Sequence, residues 1–304
     1  MITFVPEMAR KLHHIRSVAD YNAIVGAPTE HPLLSVVHFD ELERMQDSVN
    51  RFDVYGIFLR DDHQSNLVYG TSHYDYSEGT LICVAPGQVG GAEERGQGSN
   101  IRGWALLFAP DFVRGTYLEE QMQQFHFFSY SSNEALLMAS DERQTIVDCL
   151  RRMRSEIRGR RDEAQQPILL SLLDLILQYC RRFYIRQFKA MQPQSTDLLT
   201  RFERLLAKYY DENRQAEHGL PSVKYCASEL CLSPNYFGDL IRETTGKSAS
   251  QTIRDFVLDR AKSCLVHGLS TSETAYTLGF NYPQHFTRAF KQRFGLLPSE
   301  FLKK

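Results

Sequence analysis

Hydrophobic and polar positions change period along the 304-residue chain, from short apolar or alternating runs to helical stripes. Within residues 50–110 the segments RFDVYGIFLR, NLVYGTSHY, TLICVAP and GWALLFAP are rich in Val, Ile, Tyr and Phe, as strands burying one or both faces are. Turn-forming stretches DDHQSN, YSEG, PGQVGG and ERGQGSN separate them. Short strands at this spacing predict a small antiparallel barrel or sandwich. From about Ser132 the period is helical. Residues 134–158 place Leu137, Ile146, Val147, Leu150, Met153 and Ile157 on one stripe. A second helix, 167 to about 189, is apolar around most of its circumference through Leu169, Leu170, Leu172, Leu173, Leu175, Ile176, Tyr179 and Phe183. Such a helix needs cover on two sides; the sheet supplies one, and the same helix of a second subunit is expected to supply the other.

The stretch MQPQSTD, residues 191–197, breaks the helical pattern and closes on the N-cap candidates Ser195, Thr196 and Asp197, which predicts an interdomain linker. It divides the chain into a sensor and dimerisation domain over 1–190 and an all-helical domain over 198–304. Helices are expected in the latter at about 197–213, 222–230, 234–244, 249–266, 271–278 and 283–294, with a terminal turn near 298–302. The fold class is therefore α+β.

An internal repeat in the helical domain is the strongest signal. Ala227, Cys231 and Leu232 recur at the same offsets as Ala275, Gly279 and Phe280. A helix-turn-helix needs a small residue where its second helix crosses the first, then a turn residue able to adopt positive φ, then a buried apolar one. The next helices repeat too: Phe237, Leu240 and Ile241 precede Gly246, as Phe286, Ala289 and Phe290 precede Gly295. Each glycine stands where a helix C-cap belongs. A plain bundle requires no such doubling. Opposite the buried stripes lie Pro234, Asn235, Tyr236, Gly238, Asp239 and Arg242 in the first unit, and Tyr282, Gln284, His285, Thr287, Arg288, Lys291 and Gln292 in the second. The second set suits a major groove, where Arg pairs with guanine, Gln with adenine and Lys with phosphate. Asp239 repels phosphate and serves only by accepting from cytosine or by staying out of the groove. The helix from Ser250 to Val266 between the units, with Ile253, Phe256, Val257, Ala261, Cys264 and Leu265 on its apolar stripe, would hold two reading helices at fixed separation.

Charge supports that division only locally. The first 130 residues carry 9 Lys and Arg against 17 Asp and Glu, whereas residues 196–304 carry 15 against 12. From Tyr282 onward five basic residues face the single acid Glu300. The longest apolar run, ILLSLLDLIL, is too short for a membrane span, and the first residues hold no apolar stretch of the secretory kind, so a cytoplasmic location is expected. The six cysteines show neither CxxC pairing nor zinc spacing; reduced, buried thiols are expected, with no metal and no cofactor.

The stretches LCLSPNYFGDLIRETTGKSASQTI and TAYTLGFNYPQHFTRAFKQRFGLLPSEF resemble the DNA-binding domain of the AraC/XylS family of bacterial transcriptional regulators. The resemblance covers about residues 200–304. It implies a seven-helix reader with recognition helices at 234–244 and 283–294, a double-stranded DNA partner, and a sensor domain that often dimerises. RNA polymerase is a further partner of such regulators. Asp239 departs from the family pattern, where Arg or Lys is common. Upstream, TLICVAPGQVG and GWALLFAPDFVRG resemble the cupin-like β-barrel sensor of many members, which implies a small-molecule effector inside the barrel. Tyr55, Phe58, Tyr69, His73, Tyr76 and Trp104 are the candidates to line it, each equally at home as barrel core. Catalytic cupins hold a metal through a His-x-His pair, a Glu and a later His. Here Asp75 follows His73 and Tyr74, and Gly90 occupies the place of the closing His, leaving His73 and Glu78, too few for that site. No enzyme activity is expected. The alternatives are a cupin-type metalloenzyme with an appended helical domain and a regulator that needs no ligand.

Overall fold

The structure is a computed structural model describing residues 12–42, 48–61, 67–69, 72–74, 79–92, 101–131, 134–190 and 192–301. It divides into two compact units, Met1–Gln187 and Phe188–Lys304.

In the first unit, β1 (Leu12–Ile15) and α1 (Val18–Val25) precede β2 (Leu34–His38), β3 (Ser48–Phe52), β4 (Tyr55–Arg60) and the hairpin β5 (Leu67–Tyr69) and β6 (Ser72–Tyr74). Then come β7 (Thr80–Val84), β8 (Val89–Ala92), β9 (Gly103–Phe108), short helices α2 (Pro110–Val113) and α3 (Tyr117–Gln121), β10 (Leu136–Leu137), α4 (Ser140–Arg158) and α5 (Gln165–Ala190). Among the described residues these strands form two five-stranded sheets, ordered β1-β3-β8-β5-β6 and β10-β7-β4-β9-β2, and no closed barrel. Strand β1 departs from the antiparallel barrel or sandwich expected, pairing parallel to β3. Strands β7 and β9 are buried along their whole length, which is why they read as unbroken apolar runs.

The two faces of the second sheet carry different layers. Val37, Val84, Ala105 and Leu107 pack with Ile15, Phe52 and the α1 residues Val18, Tyr21 and Val25, and Phe58 borders this core. Residues of the other parity, such as Trp104, meet α4, whose Arg154 guanidinium lies 5.9 Å from the indole centroid. Ionic pairs tie α4 down: Arg154 Nη1 donates to Glu41 at 2.8 Å, Arg158 Nε to Glu30 at 2.7 Å, and Arg143 Nε to Asp61 at 2.6 Å.

Helix α4 starts at Ser140, six residues later than its apolar stripe predicts. Leu136 and Leu137 instead pair with Leu81 and Thr80 of β7, and their exposures of 0% and 53% follow the period of a strand. Glu142 accepts from the Ala139 N–H at 3.0 Å, capping a helix whose preceding residue has no side-chain acceptor.

The second unit contains α6 (Gln192–Asp211), α7 (Gln215–His218), α8 (Val223–Glu229), α9 (Pro234–Thr245), α10 (Ala249–Val266), α11 (Thr271–Thr277), α12 (Pro283–Phe294) and α13 (Pro298–Phe301). Residues 192–197, expected to break the helical pattern, are helical and begin α6. Pro193 stands in the first turn of α6, where its missing N–H costs nothing. Serines 222, 233, 248 and 270 each cap a helix by accepting from the third residue onward, and Gly246 and Gly295 end α9 and α12 with φ of 72° and 75°.

The repeat is a repeated piece of geometry. Leu232 N–H donates to the Ala227 carbonyl and Phe280 N–H to the Ala275 carbonyl, both at 2.9 Å. Cys231 N–H donates to Ser228 and Gly279 N–H to Tyr276, both at 3.0 Å. These paired bonds end α8 and α11 in the same left-handed cap, with φ of 59° at Cys231 and 89° at Gly279. Ala227 and Ala275 are fully buried beneath it. A Cβ on Gly279 would stand 2.8 Å from the Gly219 carbonyl carbon and 3.0 Å from its oxygen. Tyr209 donates to the Gly219 carbonyl at 3.0 Å and Tyr210 to that of Leu278 at 3.1 Å, so α6 holds both chain segments in place.

Gly279→Val meets positive φ and a backbone collision together. It is expected to cost more than about 2 kcal/mol, read as a lower urea midpoint of the helical signal of the full chain. Cys231→Gly, which relieves left-handed strain at some cost in chain entropy, is expected to change the midpoint little. An unaltered midpoint for Gly279→Val would mean that the turn is built otherwise.

Candidate nucleic-acid interface

Helices α9 and α12 follow the two left-handed turns and each buries one stripe. In α12, Phe286 and Phe290 are fully buried, so Arg288, half a turn away, stands at the exposed pole. Gln284 and Lys291 are exposed on one side of it, with half-buried Thr287, and His285 and Gln292 are exposed on the other. Tyr282, the N-cap residue, is 57% exposed and meets the His285 imidazole edge-on at 5.4 Å. Thr287 returns its hydroxyl to the Pro283 carbonyl at 3.0 Å.

Helix α9 presents less. Pro234, Asn235 and Arg242 are exposed, and a Cβ on Gly238 would meet nothing within 4 Å. Tyr236 is buried, its ring edge-on to Phe188 at 5.1 Å, so it does not share the exposed face expected for it; Phe188 widens the buried stripe by one position. Asp239 keeps only 15% of its side chain exposed and pairs with Arg242 at 3.4 Å, so a neighbouring cation offsets its charge.

An ionic cluster missed by sequence pattern joins the connecting helix to both pairs. Arg293 of α12 reaches Asp255 of α10 at 2.5 Å and Asp259 at 2.6 Å. Lys247, just beyond α9, reaches Asp255 at 2.7 Å, and Gln251 donates to it at 3.0 Å. Burial alone would raise both carboxyls. Hydrogen bonds from Lys247 and Gln251 at Asp255, and from Lys262 and Arg293 at Asp259, outweigh it and hold them below the ordinary aspartate value. Asp255 lies opposite the apolar stripe of α10, so periodicity gives no sign of its burial.

Beside α12 runs a groove of about 690 Å³ whose lining includes His285, Arg288 and Gln292, Arg254 of α10 and residues 217–220.

Among the effector candidates, the described side chains of Tyr55, Phe58 and Trp104 do not share one face of their sheet. Phe58 faces the α1 side, 6.0 Å from Tyr21. Tyr55 stacks on Phe108 at 4.9 Å, and Trp104 stacks on His38 at 4.1 Å, both on the opposite face. Tyr69 and His73 lie on the other sheet, in β5 and β6; Tyr76 and Glu78 fall outside the described residues. Trp104 and His38 do border a cavity of about 560 Å³ with Arg102, Arg143 and Arg151. The cysteines are free, and Cys231 is exposed, which corrects the expectation that all are buried. Among the described residues no group of His, Cys, Asp and Glu suits a metal, and no helix is long and apolar enough to cross a membrane.

Residues 226–304 match the model of a helix-turn-helix domain family. Over 87 residues the chain is 36% identical to an uncharacterised transcriptional regulatory protein, YesN, of Bacillus subtilis (strain 168), covering 27% of this chain and 24% of the relative. Over 74 residues it is 35% identical to the HTH-type transcriptional regulator GlxA of Rhizobium meliloti (strain 1021), covering 24% and 23%. The chain thus spans about a quarter of the length of the curated relatives it matches. A DNA-binding transcriptional dual regulator of Escherichia coli K-12 matches with 25% identity over 34% of this chain and 89% of its own, at a TM-score of 0.29.

Removing the Arg293 guanidinium leaves Asp255 to Lys247 and Asp259 to Lys262, so Arg293→Met is expected to cost about 1–3 kcal/mol in denaturant unfolding, the range of charge-assisted hydrogen bonds. Both aspartates titrate lower folded than unfolded. Their contribution is therefore complete above the unfolded value near about 4 and is lost as pH falls through the folded one. The denaturant midpoint should drop below that pH, less steeply in Asp255→Asn. Equal acid slopes in both proteins would show that the cluster contributes nothing.

Proposed function

We propose that the chain is a sequence-specific DNA-binding transcriptional regulator that reads DNA through two helix-turn-helix units, α8–α9 and α11–α12, under the control of a small-molecule effector bound by the first unit. The observation that carries the reading is the doubled left-handed cap, which ends α8 and α11 alike and launches a helix with an exposed polar face each time, in a stretch that matches a helix-turn-helix domain family over residues 226–304. The relatives' designations as transcriptional regulators agree with it.

In this reading α12 is the stronger reader. Arg288 takes guanine, Gln284 and Gln292 take adenine, and Lys291 takes phosphate, with His285, Thr287 and Tyr282 at the edges. Asn235, Gly238, Arg242 and Pro234 form the lesser surface of α9, where Gly238 allows close approach and Asp239 restrains Arg242. The Lys247–Asp255–Arg293 cluster fixes the two readers against α10, as two half-contacts on one duplex require. In this reading residues 198–304 read DNA and residues 1–190 sense the effector.

Dimerisation rests on α5. Ile168 and Leu175 are 41% and 43% exposed with Leu172 half-buried between them, a stripe at helical spacing. Ile176, on the same helix, is fully buried and serves the core of its own unit.

Arg288→Ala should weaken specific binding by about 1–3 kcal/mol and relax selectivity at one base pair; equal losses across a panel of site variants at fixed salt would reduce Arg288 to a phosphate contact. Ile168→Lys combined with Leu175→Glu should convert a sedimenting dimer to a folded monomer. An unaltered chain that sediments as a monomer at tens of micromolar removes the dimer from the proposal.

A further inference from the structure

The two flanks of α12 are unlike. Gln284, Thr287 and Lys291 form one. The other, His285, Ala289 and Gln292, is one wall of the 690 Å³ groove. Arg254 of α10, His218 at the end of α7 and Leu220 just beyond it form its far side. Arg254 is exposed and makes no ion pair among the described residues. Glu217 shares the lining with 83% of its side chain exposed.

A major groove is about 12 Å wide and a helix with side chains about 10–12 Å across. A helix seated there fills it, and a sugar–phosphate strand must run along each flank. Along the His285 flank the space available to that strand is the groove itself, and the side chain it meets across the groove is an unengaged guanidinium. Guanidinium recognises phosphate oxygens through paired N–H donors.

We propose that this groove seats one strand of the DNA backbone, with Arg254 gripping a phosphate and His218 donating beside it, both outside the two helix pairs. The inference rests on the DNA-reading proposal above. It makes α10 a contact element as well as a spacer. It also assigns Glu217 a sign: a carboxylate facing the strand weakens binding.

The test uses the full chain and a fluorescein-labelled duplex of about 30 base pairs of arbitrary sequence, the length covering successive major grooves. Anisotropy titrations run across a series of KCl concentrations. Removing one cation that neutralises a phosphate should flatten the plot of log affinity against log salt by about 0.9. Arg254→Gln is expected to flatten it by about that amount and to bind roughly fivefold more weakly near 0.1 M salt. Arg254→Lys should restore most of the slope, and Glu217→Gln should bind about two- to threefold more tightly. Arg114→Gln, which removes an exposed charge in the first unit, should match the unaltered chain. An unaltered slope for Arg254→Gln, or an equal weakening by Arg114→Gln, overturns the groove contact while DNA binding stands. Failure of the unaltered chain to bind the duplex even at low salt overturns both proposals.

Discussion

The second unit depends on a backbone contact between two glycines. Gly279 must turn left-handed to end α11, and the Gly219 carbonyl lies where its Cβ would be. No other residue satisfies both demands. Two tyrosines of α6 fasten the same two segments from the other side, and burial lifts the Tyr210 phenol far above its ordinary titration range, keeping it a donor. From that fixed point α12 leaves with Phe286 and Phe290 inward, and the direction of Arg288 follows. The first turn lacks this closeness. Cys231 occupies the corresponding position, exposed and at the cost of ordinary left-handed strain.

The ionic cluster adds what apolar packing supplies poorly, an angular constraint. Lys247, Asp255, Asp259 and Arg293 come from three segments of the second unit, and each distance is short enough for a charge-assisted hydrogen bond. Apolar contacts between helices tolerate sliding by a fraction of a turn. A guanidinium shared between two carboxylates on successive turns of α10 does not, because a shift that favours one lengthens the other. The desolvation cost of such a cluster makes it a weak source of stability, so its benefit here is fixed geometry.

Much of the second unit was legible in sequence because its signals are local. Offsets between Ala275, Gly279 and Phe280, capping serines and terminal glycines all act within a turn or two of helix, and α10 and α12 fall on the residues their patterns mark. What escaped depends on distant partners. Tyr236 looked like surface until Phe188 was placed against it. Residues 192–197 have the composition of a loop yet continue a helix. In the first unit, β1, β2 and β10 lie outside the stretch that alternates, and all three end up at sheet edges where pairing rather than pattern decides. The sides taken by two of the candidate lining residues were illegible for a related reason. Tyr55 and Phe58 differ by an odd number of residues, so one strand sends them to opposite faces, and only knowledge of what covers each face separates them.

The stack of Trp104 on His38 has an optical consequence. Trp104 is the chain's single tryptophan, so all indole emission comes from one spot, where the second sheet meets α4 and a guanidinium lies over the ring. The helical unit contributes tyrosine alone. Emission colour and lifetime therefore form a private channel from the first unit. A nucleic acid that altered that emission would be reporting communication between the two halves of the molecule, with no label attached.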